Sequence, residues 1–248
     1  MPQSLSPVTS AVIENVQVDT AREAVRFDIR NLSPQRITAF HAVLSEVGPN
    51  EPPKFCNGGG QDMLDWSDPM PGTNLYVHMH RTWIEPGTTL RSERYWLDCR
   101  TLRNAPQHAH VELKLITFED GTGEGDPNLL YFFFRTRKLV LEERLKWLPR
   151  FLALRNSSNL TDDAGPLYRD LTKAKYDAES DLERSRSDGL TRATLEQLQE
   201  TVRQIVTYSN GHTRLQPGTP AAWLITDLEQ RTERLMHGIG TDPGPAPQ

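Results

Sequence analysis

The period of the apolar pattern changes once along the chain, and that change sets what it can fold into. Over the first 135 or so residues apolar and polar side chains alternate with period two, the signature of half-buried strands. EAVRFDIRN is the clearest case: Val25, Phe27 and Ile29 face one way, and Arg26, Asp28 and Arg30 the other. Further strands are expected near 11–18, 36–46, 74–84, 89–99, 108–118 and 128–136. Turn chemistry separates them: NLSPQ, DPMPGTN, EPG, RNAPQ and EDGTGEGDPN, with a long loop, GPNEPPKFCNGGGQD, inside 47–73. About seven short strands without intervening helices predict an antiparallel β-sandwich of immunoglobulin or fibronectin type over residues 1–137. The antibody-type Cys…Trp…Cys pattern is absent, so the expectation concerns architecture alone.

After residue 138 apolar residues recur at helical spacing. Leu141, Leu145, Leu148 and Leu152 form one stripe, with Pro149 expected to break or kink that segment. Helices are expected over 165–186, over about 191–208 with Asn210-Gly211 as the stop, and from Thr219 as N-cap with Pro220 in the first turn. This gives a helical region of three to four helices over 138–240 and a tail, 241–248 (TDPGPAPQ), too poor in apolar groups to fold.

A chain of 248 residues with 36% hydrophobic and 25% charged residues can bury a real core. The most apolar run, Leu129–Phe134, is too short to cross a membrane. The net charge of -5 is spread over both halves, so neither half has the basic excess that neutralises phosphates, and nucleic acid is not an expected partner. MPQSLSPVTS has neither the basic start nor the apolar run of a secretory leader. The expected compartment is the cell envelope or outside if a leader lies upstream, and the cytoplasm otherwise. Cys56 and Cys99 are compatible with one disulfide in an oxidising compartment and equally with two reduced thiols.

One metal site can be drawn. His78, His80 and Glu85 in YVHMHRTWIE follow Gly72 at the spacing of the cupin family's first motif, which implies a metal-dependent enzyme. Ser92 stands where that motif closes with Gly, and Leu129 and Phe132 stand where the second motif needs Gly and His. The strand pattern also opposes it: Leu75, Val77, Met79 and Trp83 share the apolar face, which sends both histidines outward. In QHAHVELKL, Ala109, Val111, Leu113 and Leu115 form the inward set, leaving His108 and His110 on the polar face, with His41 the one imidazole that could approach them. Glu119, Asp120, Glu124 and Asp126 gather in a Gly-rich loop that could hold calcium, although Asp-Gly between apolar strands first signals a hairpin. Nucleophile elbows, phosphate loops and dinucleotide fingerprints are missing, so no catalytic residue and no cofactor are assigned. KLVLEERLKWLPRFLALR, over 138–155, is basic and amphipathic and could lie on a membrane surface. If it packs on its own domain, Leu141, Leu145 and Leu148 should be buried and Arg144 and Arg155 solvated.

FDIRNLSPQRITAF, IEPGTTL and ITFEDGTGEGD together resemble a group of uncharacterised bacterial proteins, frequent in acidobacteria. These carry an N-terminal immunoglobulin-like sandwich with an F-E-D-G-T hairpin. The likeness covers residues 10–137; members are frequently exported, and it implies no catalytic residue. The expectation is a non-enzymatic structural or protein-interaction module of the bacterial cell envelope, with a protein partner and without a transmembrane segment. Phe55 and Trp66, on the long loop at 47–73, are its candidate contact residues.

Overall fold

EAVRFDIRN forms the centre of a sheet, and both faces of the resulting strand are used. The computed structural model describes residues 8–48, 52–65, 83–95, 99–182 and 189–239. Strand β2 (Ala24–Asn31) is flanked by β1 (Ala11–Asp19) and β5 (Thr89–Tyr95), both antiparallel to it. A second antiparallel sheet has the order β4 (Lys54–Asp62), β3 (Ile37–Glu46), β6 (Ala109–Phe118), β7 (Gly123–Gly125). Four helices follow: α1 (Pro127–Arg155), α2 (Leu160–Leu182), α3 (Gly189–Tyr208) and α4 (Pro220–Gly238). The chain divides into two compact units; one boundary between them falls inside α1, after Phe134, and another near the end of α4, after Met236.

One core serves both sheets. Val25, Phe27 and Ile29 from β2 join Phe40, Ala42 and Leu44 from β3 and Val111, Ile116 and Phe118 from β6. The inward set of β6 changes parity along the strand, because Lys114 is an extra residue: His41 pairs with Leu115 and Ala42 with Leu113. The expected inward residue Leu115 is therefore buried outside this cluster, and Ile116 takes its place in the core. A bulge of this kind cannot be read from alternation, since it inverts the faces midway.

Turn residues carry much of the local order. Asn31, fully buried, donates through Nδ2 to the carbonyls of Gln35 (2.7 Å) and Ile84 (2.8 Å), and its Oδ1 accepts from the Ser33 amide (2.9 Å). The NLSPQ signal is thus a side chain standing in for backbone partners. In EPGT, Thr88 N–H donates to Glu85 O at 3.0 Å, and Gly87 takes the positive φ of 70° that position requires.

Two expectations are corrected here. Residues 54–62, read as part of a loop, form β4; KFCNGGGQD carries no alternation, yet it pairs with β3 from Ala39 to Glu46. Residues 128–136, read as a strand, open α1. The Asp126 carboxylate caps that helix by accepting from the amides of Asn128 (2.8 Å) and Leu129 (3.2 Å), and Pro127 occupies the first helical position. Of the strand expected at 74–84, only Trp83 and Ile84 lie within the described residues, and Ile84 makes a single bridge to Ile37.

The second unit has its own core: Phe151 and Leu154 of α1, Leu160, Leu167 and Leu171 of α2, Leu195, Leu198, Val202 and Ile205 of α3, and Leu224, Ile225 and Leu228 of α4. Helix α1 passes through Pro149 without ending. Asn210 and Gly211 adopt the left-handed conformation that stops α3 (φ 50° and 77°), and the Thr219 hydroxyl accepts from Ala222 N–H at 3.4 Å at the start of α4. The face of α1 is not the expected one. Leu145 is 42% exposed and Arg144 is fully buried, donating to Gln197 Oε1 at 3.0 Å. The buried line runs through Arg137, Arg144 and Phe151, with Leu141, Leu148 and Leu152 at its flanks. Arg144 thus fills a core position that hydropathy gives to leucine, with one Nη bonded to Gln197. Arg155 is exposed, as expected.

Candidate functional site

The residues proposed for a metal do not converge among the described residues. His78 and His80 lie outside them, as does Trp66. Both oxygens of Glu85 are engaged: Oε2 accepts from Arg36 Nε at 3.0 Å, and Oε1 accepts from the Trp83 indole at 2.6 Å. The guanidinium also stacks 4.8 Å from the centre of the Trp83 ring and reaches Glu119 at 3.5 Å. The Arg36 hydrogen bond first, and the Trp83 bond next, hold the Glu85 carboxyl below the usual range. Glu85 thus closes a surface cluster that ties the start of β3 to the turn before β5.

The other imidazoles stay apart. His41 pairs across from Leu115 and His110 from Ser45, four residues further along β3, which separates them by about 13 Å along the strand. Glu112 pairs with Lys114 at 2.7 Å on the polar face. No group of three or more metal-ligating side chains occurs among the described residues.

The four carboxylates of the Gly-rich hairpin are each committed elsewhere. Glu119 reaches Arg36, and Asp120 accepts from the Thr122 amide (2.9 Å) and hydroxyl (2.7 Å). Glu124 accepts from the amides of Thr9 (2.9 Å) and Ser10 (3.0 Å) and from both hydroxyls, and Asp126 caps α1. Oxygens spent on separate partners do not form one cation cage.

Phe55 stands on β4 with 59% of its surface exposed. Its neighbour Cys56 is buried and bridged to Cys99, with Cα atoms 5.2 Å apart. The bond joins β4 to the chain beyond β5, across 43 residues of sequence. Of the two thiol states that the sequence left open, the fold holds the disulfide.

The concavity that sequence reading missed lies in the helical unit. An open cleft of about 530 Å³ is formed by the end of α1 (Arg155, Asn156), the loop before α4 (Leu215, Pro217) and the first turns of α4 (Trp223, Thr226). Its surface is mostly apolar, and its volume is within the range of ligand sites. The available signal was LQPGTPAAW: a Pro-Gly turn beside a capped helix that places Trp223 one turn into α4. Arg155 donates from one Nη to Glu229 at 2.7 Å, so its charge is locally matched. The apolar residues of 138–155 that a membrane surface would need are largely taken up: Phe151 and Leu154 are core, with Trp147, Leu148 and Leu152 packed on it.

No family model, no curated protein and no solved structure matches this chain. No helix among the described residues is long and apolar enough to cross a membrane.

Proposed function

We propose that the chain is a non-enzymatic protein-interaction module of the bacterial cell envelope, built from an immunoglobulin- or fibronectin-type sandwich and a helical unit. The observation that carries this reading is the Cys56–Cys99 bridge. Structural disulfides persist in oxidising compartments, and this one clips β4 to the chain after β5 with both sulfur-bearing residues buried. The strand order β1-β2-β5 against β4-β3-β6-β7 over a shared core supports the sandwich type. Recognition in place of catalysis is supported by how the polar groups are used: the clustered carboxylates and Glu85 act as caps, clips and ion pairs within the fold. The open cleft at Trp223 supplies a surface for a partner.

Cross-linking of the tagged full-length chain in intact cells tests the reading. A defined heavier species containing one second polypeptide, recovered from the envelope fraction, is expected. Recovery of the chain alone from the cytosolic fraction contradicts it.

A further inference from the structure

We propose that the cleft at Trp223 docks a proline-rich segment of a partner polypeptide in the polyproline II conformation. This rests on the interaction-module reading above and names the partner's chemistry.

The cleft is open to solvent, which suits an extended chain better than an enclosed small molecule. Leu215, Pro217 and Trp223 give it apolar walls. Its side-chain polar groups are mainly donors. The Trp223 indole N–H and the side-chain amide of Asn156 donate to no group among the described residues. Arg155 spends only one nitrogen on Glu229, at 2.7 Å. The Thr226 hydroxyl is turned back onto the carbonyl of Ala222, at 3.3 Å. The amide oxygen of Asn156 and the lone pairs of the Thr226 hydroxyl are then the side-chain acceptors among these groups.

The complement of such a surface is a chain with free carbonyls, few N–H groups and apolar flanks. A proline-rich strand has that chemistry, because each proline removes a backbone donor and adds a ring face. Its conformation is set before binding, so little is lost on ordering it against a shallow site. An amphipathic helix would bring its backbone carbonyls already bonded and leave the three donors of the cleft to side chains alone. A polyanion is not called for, because Glu229 already matches the Arg155 charge.

The full-length chain is titrated with an acetylated and amidated nonaproline, and with a Gly/Ser/Ala peptide and a Glu-rich peptide of the same length. Tryptophan fluorescence and calorimetry are the readouts. Saturable one-to-one binding of nonaproline alone is expected. Trp223→Phe keeps the ring and loses the N–H, and should weaken binding about fivefold; Trp223→Ala should weaken it about tenfold or more. Asn156→Asp, at an exposed position, removes a donor and should weaken it severalfold, with far-UV circular dichroism checking that the variant folds. No binding of nonaproline, equal binding by the Trp223→Phe and Asn156→Asp chains, or tighter binding of the Glu-rich peptide would each overturn the assignment. A cross-linked envelope partner that lacks a proline-rich stretch also overturns it, while leaving the interaction reading in place. Absence of any partner in cells overturns that reading itself.

Discussion

Asp28 is a carboxylate in the middle of a three-stranded sheet, only 6% exposed, and two side chains keep it charged. Asn15 donates to it at 2.8 Å from a bulge in β1, where its own backbone is left-handed (φ 53°), and Arg91 donates from β5 at 3.1 Å. The Asn15 bond first, then the Arg91 bond, depress the Asp28 pKa against the cost of burial. A depressed pKa adds stability that is full above the unfolded carboxylate value of about 4 and is lost as pH falls through the folded value. Asn15→Ala should therefore raise the Asp28 pKa, followed by carboxyl NMR, and cost about 1–2 kcal/mol at neutral pH, with the difference from wild type shrinking as pH falls through the depressed wild-type value. Gly125 is the second decisive residue. It sits at φ 120°, and a Cβ there would lie 2.1 Å from the Lys114 carbonyl oxygen. Gly125→Ala should lower stability by about 3 kcal/mol or more in urea titration, whereas Gly87→Ala, with open space around it, should cost about 1 kcal/mol. Asn31, Gly87 and Gly121 were legible as turn residues, because turns are local. Asn15 and Gly125 were not, since both belong to bulges: Asn15 sits in that of β1, and Gly125 lies against that of β6.

Elements were read best where pattern and packing agree. β2, β3 and β6 announce themselves by alternation, and α2, α3 and α4 by stripes that the helical core uses. β4 was hidden because three consecutive glycines have no side chain to alternate; it is a strand through its partner β3. The start of α1 was hidden by its aromatic run, which outweighed the Asp126-Pro127 cap in a reading based on hydropathy. On the same helix the leucine stripe is turned away from the true buried line by about one residue. Leu145→Lys should consequently change stability by less than about 0.5 kcal/mol, while Phe151→Ala should cost about 3–5 kcal/mol; thermal unfolding of the two variants decides the matter. Equal costs would restore the leucine face. The buried Asp227–Arg231 pair of α4, at 2.8 Å and four residues apart, is a further case of charge in a helical core that hydropathy cannot place.

For the molecule as a whole, the division into a strand-rich and a helix-rich part followed from one change of period. The site did not. His78, His80 and Trp66 lie outside the described residues, Glu85 is held by Arg36 and Trp83, and the cleft at Trp223 arises only when the ends of α1 and α4 meet. The disulfide is likewise a product of topology: 43 residues separate its ends, and no spacing rule specifies it. Closing a loop of that length should contribute roughly 4 kcal/mol in the chain-entropy model, so the Cys56→Ser/Cys99→Ser double variant should unfold at clearly lower denaturant than the oxidised chain. The proposed place in the cell envelope requires that this protein work in an oxidising compartment. Its most direct measurement is the thiol state of the chain in its own cells, quenched in acid, alkylated before and after reduction, and digested for mass spectrometry. A Cys56–Cys99 linked peptide, with neither cysteine alkylated before reduction, is the predicted result. Both cysteines alkylated before reduction would contradict it, and with it the assignment to the cell envelope.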